Sequence, residues 1–280
     1  MANILEGKQV VASLNERLRA EVDDLKSKGI TPTLAIVRVG ERPDDISYEK
    51  GAVKRAETVG VAVKQFTLPE ETTEAKMLEL IEQINSDSSL HGVLLFRPLP
   101  KHMNEDKIRN AVSFKKDIDG ITDISLANVF TGSGNGFPPC TAQACMEIFD
   151  HYGIELKGKR VVMIGRSLIV GKPLSMMMLA RHATVTICHT RTVDMPARCR
   201  EAEILIAAAG KAKVVGEDYF SPGQTVLDVG INVDAQGNLS GDADFEAAKG
   251  IVGAITPVPG GVGTVTTSVL MKHVIKATKA

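Results

Sequence analysis

Val161-Val162-Met163-Ile164-Gly165-Arg166-Ser167-Leu168-Ile169-Val170-Gly171-Lys172-Pro173 runs from an uninterrupted apolar stretch through a glycine turn into a helical segment. The apolar run reads as a buried strand. Glycines at both ends of the turn let the backbone approach a pyrophosphate, and a helix N-terminus presents unpaired N–H groups to its charge. The stretch lacks the common G-x-G-x-x-G spacing, so an ordinary strand-to-helix turn fits it too, with Arg166 as a solvated surface arginine.

Four further β-rich runs accompany residues 160–164, at 184–188, 204–208, 225–229 and 251–255. Segments long enough for crossover helices separate the earlier ones, which predicts an α/β fold with a Rossmann-type doubly wound parallel sheet. The second run ends at Cys188-His189-Thr190-Arg191-Thr192, where a site for NAD commonly holds an acid on the ribose 2′-hydroxyl. No acid stands there. Arg191, with Thr190 and Arg166, suits a 2′-phosphate and hence NADP, although a solvated Arg191 fits the same pattern.

Upstream, Val10, Val11, Leu14, Leu18, Val22 and Leu25 recur at helical spacing, and strand-like runs at 34–39, 62–68 and 92–96 alternate with helical patterns at 46–59 and 74–84. That alternation predicts a second α/β domain with parallel pairing. The breaker-rich stretch 131–139 is the candidate connection, and 265–280 returns to helical spacing. The expected division is residues 1–140, with 262–280 packing back on them, and residues 141–261.

With 33 basic and 34 acidic residues the net charge is −1, so no global field draws in nucleic acid or an anionic membrane. Four scattered cysteines suit free thiols in a reducing compartment, and six scattered histidines lack metal-ligand spacing, so no metal is expected. The first residues lack the long apolar core of a signal peptide, and no run approaches the roughly 20 apolar residues of a membrane span. A cytoplasmic protein is expected.

Gly165-Arg166-Ser167-x-x-Val170-Gly171-x-Pro173 together with Thr256-Pro257-Val258-Pro259-Gly260-Gly261-Val262-Gly263 resembles the methylenetetrahydrofolate dehydrogenase/methenyltetrahydrofolate cyclohydrolase family. Lys116-Asp117-Ile118-Asp119-Gly120, Pro139-Cys140-Thr141, Asp228-Val229-Gly230-Ile231-Asn232 and Gly241-Asp242 extend the resemblance over the whole chain. It implies a homodimer, an NADP-binding Rossmann domain and a smaller folate-binding domain closed by the C-terminal helix. It implies that Tyr48 stacks on the aminobenzoyl ring of folate and that Asp119 hydrogen-bonds the pterin, both as catalytic and substrate-binding residues. Pro259, Gly260 and Gly261 then lie beside substrate and nicotinamide, and Gly165, Arg166, Ser167, Thr190, Arg191 and Ile231 contact the cofactor.

The sequence departs from the family at the lysine expected one helical turn after Tyr48, here Ala52, and at the glutamine before the Leu-Pro-Leu-Pro run, here Phe96. Oxidation of methylenetetrahydrofolate needs chiefly alignment of two rings, whereas hydrolysis of the methenyl product needs proton transfer. The expected enzyme is therefore an NADP-dependent dehydrogenase with weak or absent cyclohydrolase activity. Its alternatives are a bifunctional enzyme that uses a different proton-handling group, such as Arg97, and a silent folate-binding paralogue.

Overall fold

The computed structural model describes residues 1–279. The chain opens with β1 (Asn3–Ile4) and α1 (Gly7–Ser27), then alternates β2 (Thr33–Val39), α2 (Pro43–Val59), β3 (Ala62–Leu68), α3 (Glu74–Ser86) and β4 (Gly92–Leu95). Helices α4 (Glu105–Ala111), α5 (Asp123–Thr131) and α6 (Cys140–His151) follow. Next come β5 (Arg160–Ile164), α7 (Gly171–Ala180), β6 (Thr184–Cys188), α8 (Met195–Arg200), β7 (Ile204–Ala207) and β8 (Thr225–Asp228). The strands β9 (Asn232–Val233) and β10 (Leu239–Ser240), α9 (Phe245–Ile251), β11 (Ala254–Ile255) and α10 (Val262–Ala277) complete the order.

Two compact units form, Met1–Ala12 with Thr141–Thr266, and Ser13–Cys140 with the chain from Thr267. The expected division put all of residues 1–140 together. Instead β1 pairs in parallel with β11, Asn3 opposite Ala254 and Ile4 opposite Ile255, and the Leu5 N–H donates to the Ile255 carbonyl at 2.9 Å. Backbone pairing therefore carries the first residues into the later unit. The second boundary falls inside α10, and Ala280, the end of the expected C-terminal segment, lies outside the described residues.

The unit with residues 141–266 holds a six-stranded sheet ordered β6-β5-β7-β8-β11-β1, parallel throughout. This is the doubly wound Rossmann-type sheet. Strand order reverses between β5 and β7, so the loops leaving their C-terminal ends diverge and open a crevice there. β7 is buried at every residue, and β5 at all but Arg160, which is why both read as continuous apolar runs. The strand expected over 251–255 shrinks to β11, because Asp244 caps α9 by accepting from the Ala247 N–H and the helix runs on to Ile251.

The other unit is built on a parallel sheet ordered β3-β2-β4. Met77, Ile81 and Ile84 of α3 and Ile108 of α4 bury one of its faces against Val37 and Leu95. α4 and α5, which the hydrophobic periodicity did not single out, start at side-chain caps, Asn104 accepting from the Lys107 N–H and Thr122 from the Ser125 N–H. Val269, Leu270, Val274 and Ile275 of α10 are fully buried. No helix among the described residues is long and apolar enough to cross a membrane.

Candidate functional site

The crevice at the β5/β7 reversal contains a cavity of about 340 Å³ whose wall includes Gly165, Arg166, Ser167, Thr190 and Lys211. Gly165 has φ +120°, and a Cβ there would overlap the Ala208 carbonyl oxygen. A Cβ on Gly171 would lie 2.6 Å from the Gly165 carbonyl carbon and 2.7 Å from Arg166 Cα. The turn thus folds back on itself so tightly that both glycines are required sterically.

Ser167 closes this turn. Its Oγ accepts from the Val170 N–H at 3.1 Å and the Gly171 N–H at 3.4 Å, and its carbonyl accepts from the Lys172 N–H at 3.0 Å. The third residue of α7 is Pro173, which has no N–H. The expectation that the helix N-terminus offers its own unpaired donors therefore needs correction. Those donors are spent inside the loop, and the N–H groups of residues 166–169 are the ones these bonds leave for an anion.

At the end of β6, the Thr192 N–H donates to the His189 carbonyl at 2.8 Å and the His189 N–H to Thr192 Oγ1 at 2.9 Å. The Arg191 N–H donates to His189 Nδ1 at 3.1 Å, which makes Nδ1 an acceptor and leaves the ring proton on Nε2. Arg166 and Arg191 are exposed, and neither has an acidic partner among the described residues. Thr190 lines the cavity; Arg191 is next to it in the turn but outside the lining, and so is Ile231, which is 62% exposed. His189, Lys211 and Tyr219 also line the cavity and were not singled out from the sequence. The only signal for Lys211 was its place just after the third β-run.

In the same unit the loop 257–261 lies against the start of α1, where the Gly7 N–H donates to the Gly260 carbonyl at 2.8 Å. Gly260 has φ +103°, and a Cβ on Gly261 would overlap the Pro257 carbonyl oxygen. These glycines are demanded by the loop's own fold-back, whatever binds beside Pro259.

In the other unit, Tyr48 stands on α2, 38% exposed, its ring edge-on to Phe96 with centroids 5.9 Å apart. One turn further, Ala52 is fully buried. Lys50 and Lys54 are exposed and line a separate groove with Glu57 and Gln65, so neither replaces a lysine beside Tyr48. That groove's floor holds buried Glu49, which accepts from Arg38 Nε and Gln65 Nε2, each at 2.6 Å. Arg97 pairs with Glu105 at 3.5 Å.

Asp119 is partly exposed, and its carboxyl is pushed up to about 6 by burial and by the neighbouring Asp117. Opposing that rise, Cys140 and the Arg97 charge both favour the ionised carboxylate. Asp117 itself is structural, accepting from the Ile121 and Thr122 N–H groups at 2.9 and 2.8 Å. Behind them, His273 Nδ1–H donates to the Ile118 carbonyl at 2.8 Å; burial lowers its pKa to about 4 and keeps the ring neutral. All four cysteines are free and buried, with burial pushing Cys145 and Cys199 up to about 12, so none is a ready nucleophile.

Residues 5–119 match the catalytic domain of tetrahydrofolate dehydrogenase/cyclohydrolase, and residues 139–280 match its NAD(P)-binding domain. The chain is 50% identical over 277 residues to the Bifunctional protein FolD of Alkaliphilus oremlandii, covering 99% of this chain and 97% of that one. The bifunctional methylenetetrahydrofolate dehydrogenase/cyclohydrolase FolD of Campylobacter jejuni superposes with a TM-score of 0.97 at 38% identity, over 100% of this chain and 99% of that one. The Trypanosoma brucei enzyme, solved with NADP cofactor and an inhibitor, superposes with a TM-score of 0.93 at 31% identity, over 99% and 97% of the two chains.

Proposed function

The chain belongs to the tetrahydrofolate dehydrogenase/cyclohydrolase family, and on that premise we propose that it oxidises 5,10-methylenetetrahydrofolate to 5,10-methenyltetrahydrofolate with NADP and also hydrolyses the methenyl product. The observation that carries the first half is the cavity at the strand-order reversal, bordered by the 165–171 turn and by Thr190, with Arg191 alongside and no acid among residues 188–192. Its donor set fits a 2′-phosphorylated dinucleotide. Arg166, Thr190 and Arg191 would hold the 2′-phosphate, and the N–H groups of residues 166–169 the pyrophosphate. When bound, the nicotinamide supplies the hydride acceptor.

Tyr48 would stack on the aminobenzoyl ring, and the ionised Asp119 would accept from the pterin, so that these side chains orient the one-carbon bridge. Orientation is the protein's main contribution to the oxidation, since the folate nitrogens stabilise the developing cation. Pro259, Gly260 and Gly261 would offer backbone rather than side chain next to the reacting rings.

Hydrolysis was expected to be weak or absent because of Ala52 and Phe96. The bifunctional name of a relative 50% identical over nearly the whole chain favours the opposite reading. In that reading Asp119, with its carboxyl near 6 and Arg97 close by, is the group able to exchange a proton near neutral pH. Arg97 stays protonated and contributes charge only. We also propose a homodimer in the cytoplasm; four buried thiols suit that reducing compartment.

Two separate assays on the purified protein test this. NADPH formation from methylenetetrahydrofolate supports the oxidation, and loss of added methenyltetrahydrofolate faster than in buffer supports the hydrolysis. Oxidation without hydrolysis would return the chain to a dehydrogenase alone. Neither activity, with folate still bound, would make it a silent binder.

A further inference from the structure

Two acids lie buried beneath the proposed cofactor crevice, Asp228 at the end of β8 and Asp242 just after β10, and among the described residues neither has a cationic side chain paired with it. Their charge is met by N–H donors. Asp228 Oδ1 accepts from the Gly230 and Asp242 N–H groups, both at 3.0 Å, and Oδ2 from the Ala243 N–H at 2.8 Å. Asp242 Oδ2 accepts from the Gly210 N–H at 2.8 Å, and Oδ1 from the Lys211 N–H and Asn232 Nδ2, both at 2.9 Å. A Cβ on Gly230 would overlap the Asp242 carboxylate, and one on Gly241 the Asp228 carboxylate, so the acids fill the space between three loops.

Burying two neighbouring carboxylates costs free energy that an apolar pair would not, so packing alone is a poor reason to keep them. What they do is tie the β7 loop, the β8 loop and the end of β10, which pairs antiparallel with β9, into one knot. Of these three segments, only the β7 loop puts a cation in the lining of the crevice: Lys211 lines the same cavity as Arg166, Ser167 and Thr190 and has no acidic partner among the described residues.

We propose that Lys211 is a further ligand for the phosphates of the dinucleotide and that Asp242 is the positioning residue that presents it. This rests on the cofactor reading above. Asp242 grips the backbone of Gly210 and Lys211 at two points, which fixes the Cα from which the flexible lysine stem reaches. Asp228 in turn fixes Asp242 through the backbone N–H groups on both sides of its side chain.

The test is direct binding to the full chain, read from the fluorescence of NADPH and of NADH, since the protein has no tryptophan to interfere. Lys211→Met should weaken NADPH binding about tenfold or more, the loss expected for one charged hydrogen bond. An equal loss for NADH assigns the lysine to the pyrophosphate, and a loss confined to NADPH assigns it to the 2′-phosphate. Asp242→Asn turns an NH2 group toward a backbone N–H and should weaken binding to a similar degree. The double variant should be no worse than the weaker single one, because a mispositioned lysine has nothing left to lose.

Should Asp242→Asn not fold, Asn232→Ala removes one bond to the same carboxylate. It should cost a few-fold in NADPH affinity with Lys211 present and nothing when Lys211 is Met. Wild-type affinity in Lys211→Met overturns the ligand assignment, and losses that multiply in the double variant overturn the positioning. A wild-type protein that binds neither nucleotide refutes the cofactor reading itself.

Discussion

Replacing Asp119 with Asn should stabilise the folded protein at neutral pH while weakening folate binding. The carboxyl titrates near 6 in the folded chain against 3.8 for an ordinary aspartate, burial being the largest cause. The folded state therefore holds the proton more tightly than the unfolded state does, and ionisation costs stability as pH rises through this window. Above pH 6 the full cost is about 3 kcal/mol, a ceiling because the group is partly exposed; at pH 5 roughly half of it remains, and it is gone below the unfolded value. Asn has nothing to ionise and keeps a carbonyl acceptor in place of the carboxylate. At roughly 2–4 °C per kcal/mol, Asp119→Asn should raise Tm by several degrees at pH 7.5 and by about half as much at pH 5. The same variant should bind folate at least tenfold more weakly, because a charged acceptor for the pterin is lost. Thermal melts by circular dichroism at the two pH values, with folate titration at pH 7.5, read both effects. A lower Tm at pH 7.5, or a Tm gap that does not shrink at pH 5, would refute the account of a strained, function-bearing carboxylate.

For Arg191→Ala we expect NADP binding to fall about tenfold or more with little change for NAD, since only NADP carries the 2′-phosphate; equal losses in a comparison of the two constants would remove Arg191 from the site. Tyr48→Ala, on a half-exposed position, should raise the apparent folate constant and leave NADPH affinity unchanged, and steady-state kinetics showing the reverse would exchange the roles of the two units. Gly171→Ala drives a methyl into the Gly165 and Arg166 backbone, so it should cost about 1 to 3 kcal/mol and more than tenfold in NADPH affinity. An unchanged melting curve with normal binding would mean that the 165–171 turn is looser than its contacts imply.

Residues 161–164 and 204–207 declare themselves as strands in the sequence because a parallel strand buried on both faces must be apolar throughout, and α1 and α3 do so through one apolar face each. The residue types after β5 and β6 likewise pointed to an anion site, since glycines, a serine and unpaired arginines suit phosphate whatever surrounds them. Other features depend on partners far along the chain. β1 is two residues long and exists only because Ala254 and Ile255 lie beside it, a backbone pairing that leaves no periodic trace in residues 3–4. The spent N–H groups at the start of α7, the pairing of Asp228 with Asp242, the burial of Ala52 and the raised carboxyl of Asp119 are of the same kind. A residue's type specifies which bonds it can make, and that much was in the sequence. Which donors reach it, and how much water is excluded around it, is set by segments that come together only in the folded chain, and that is what fixes its pKa and its role.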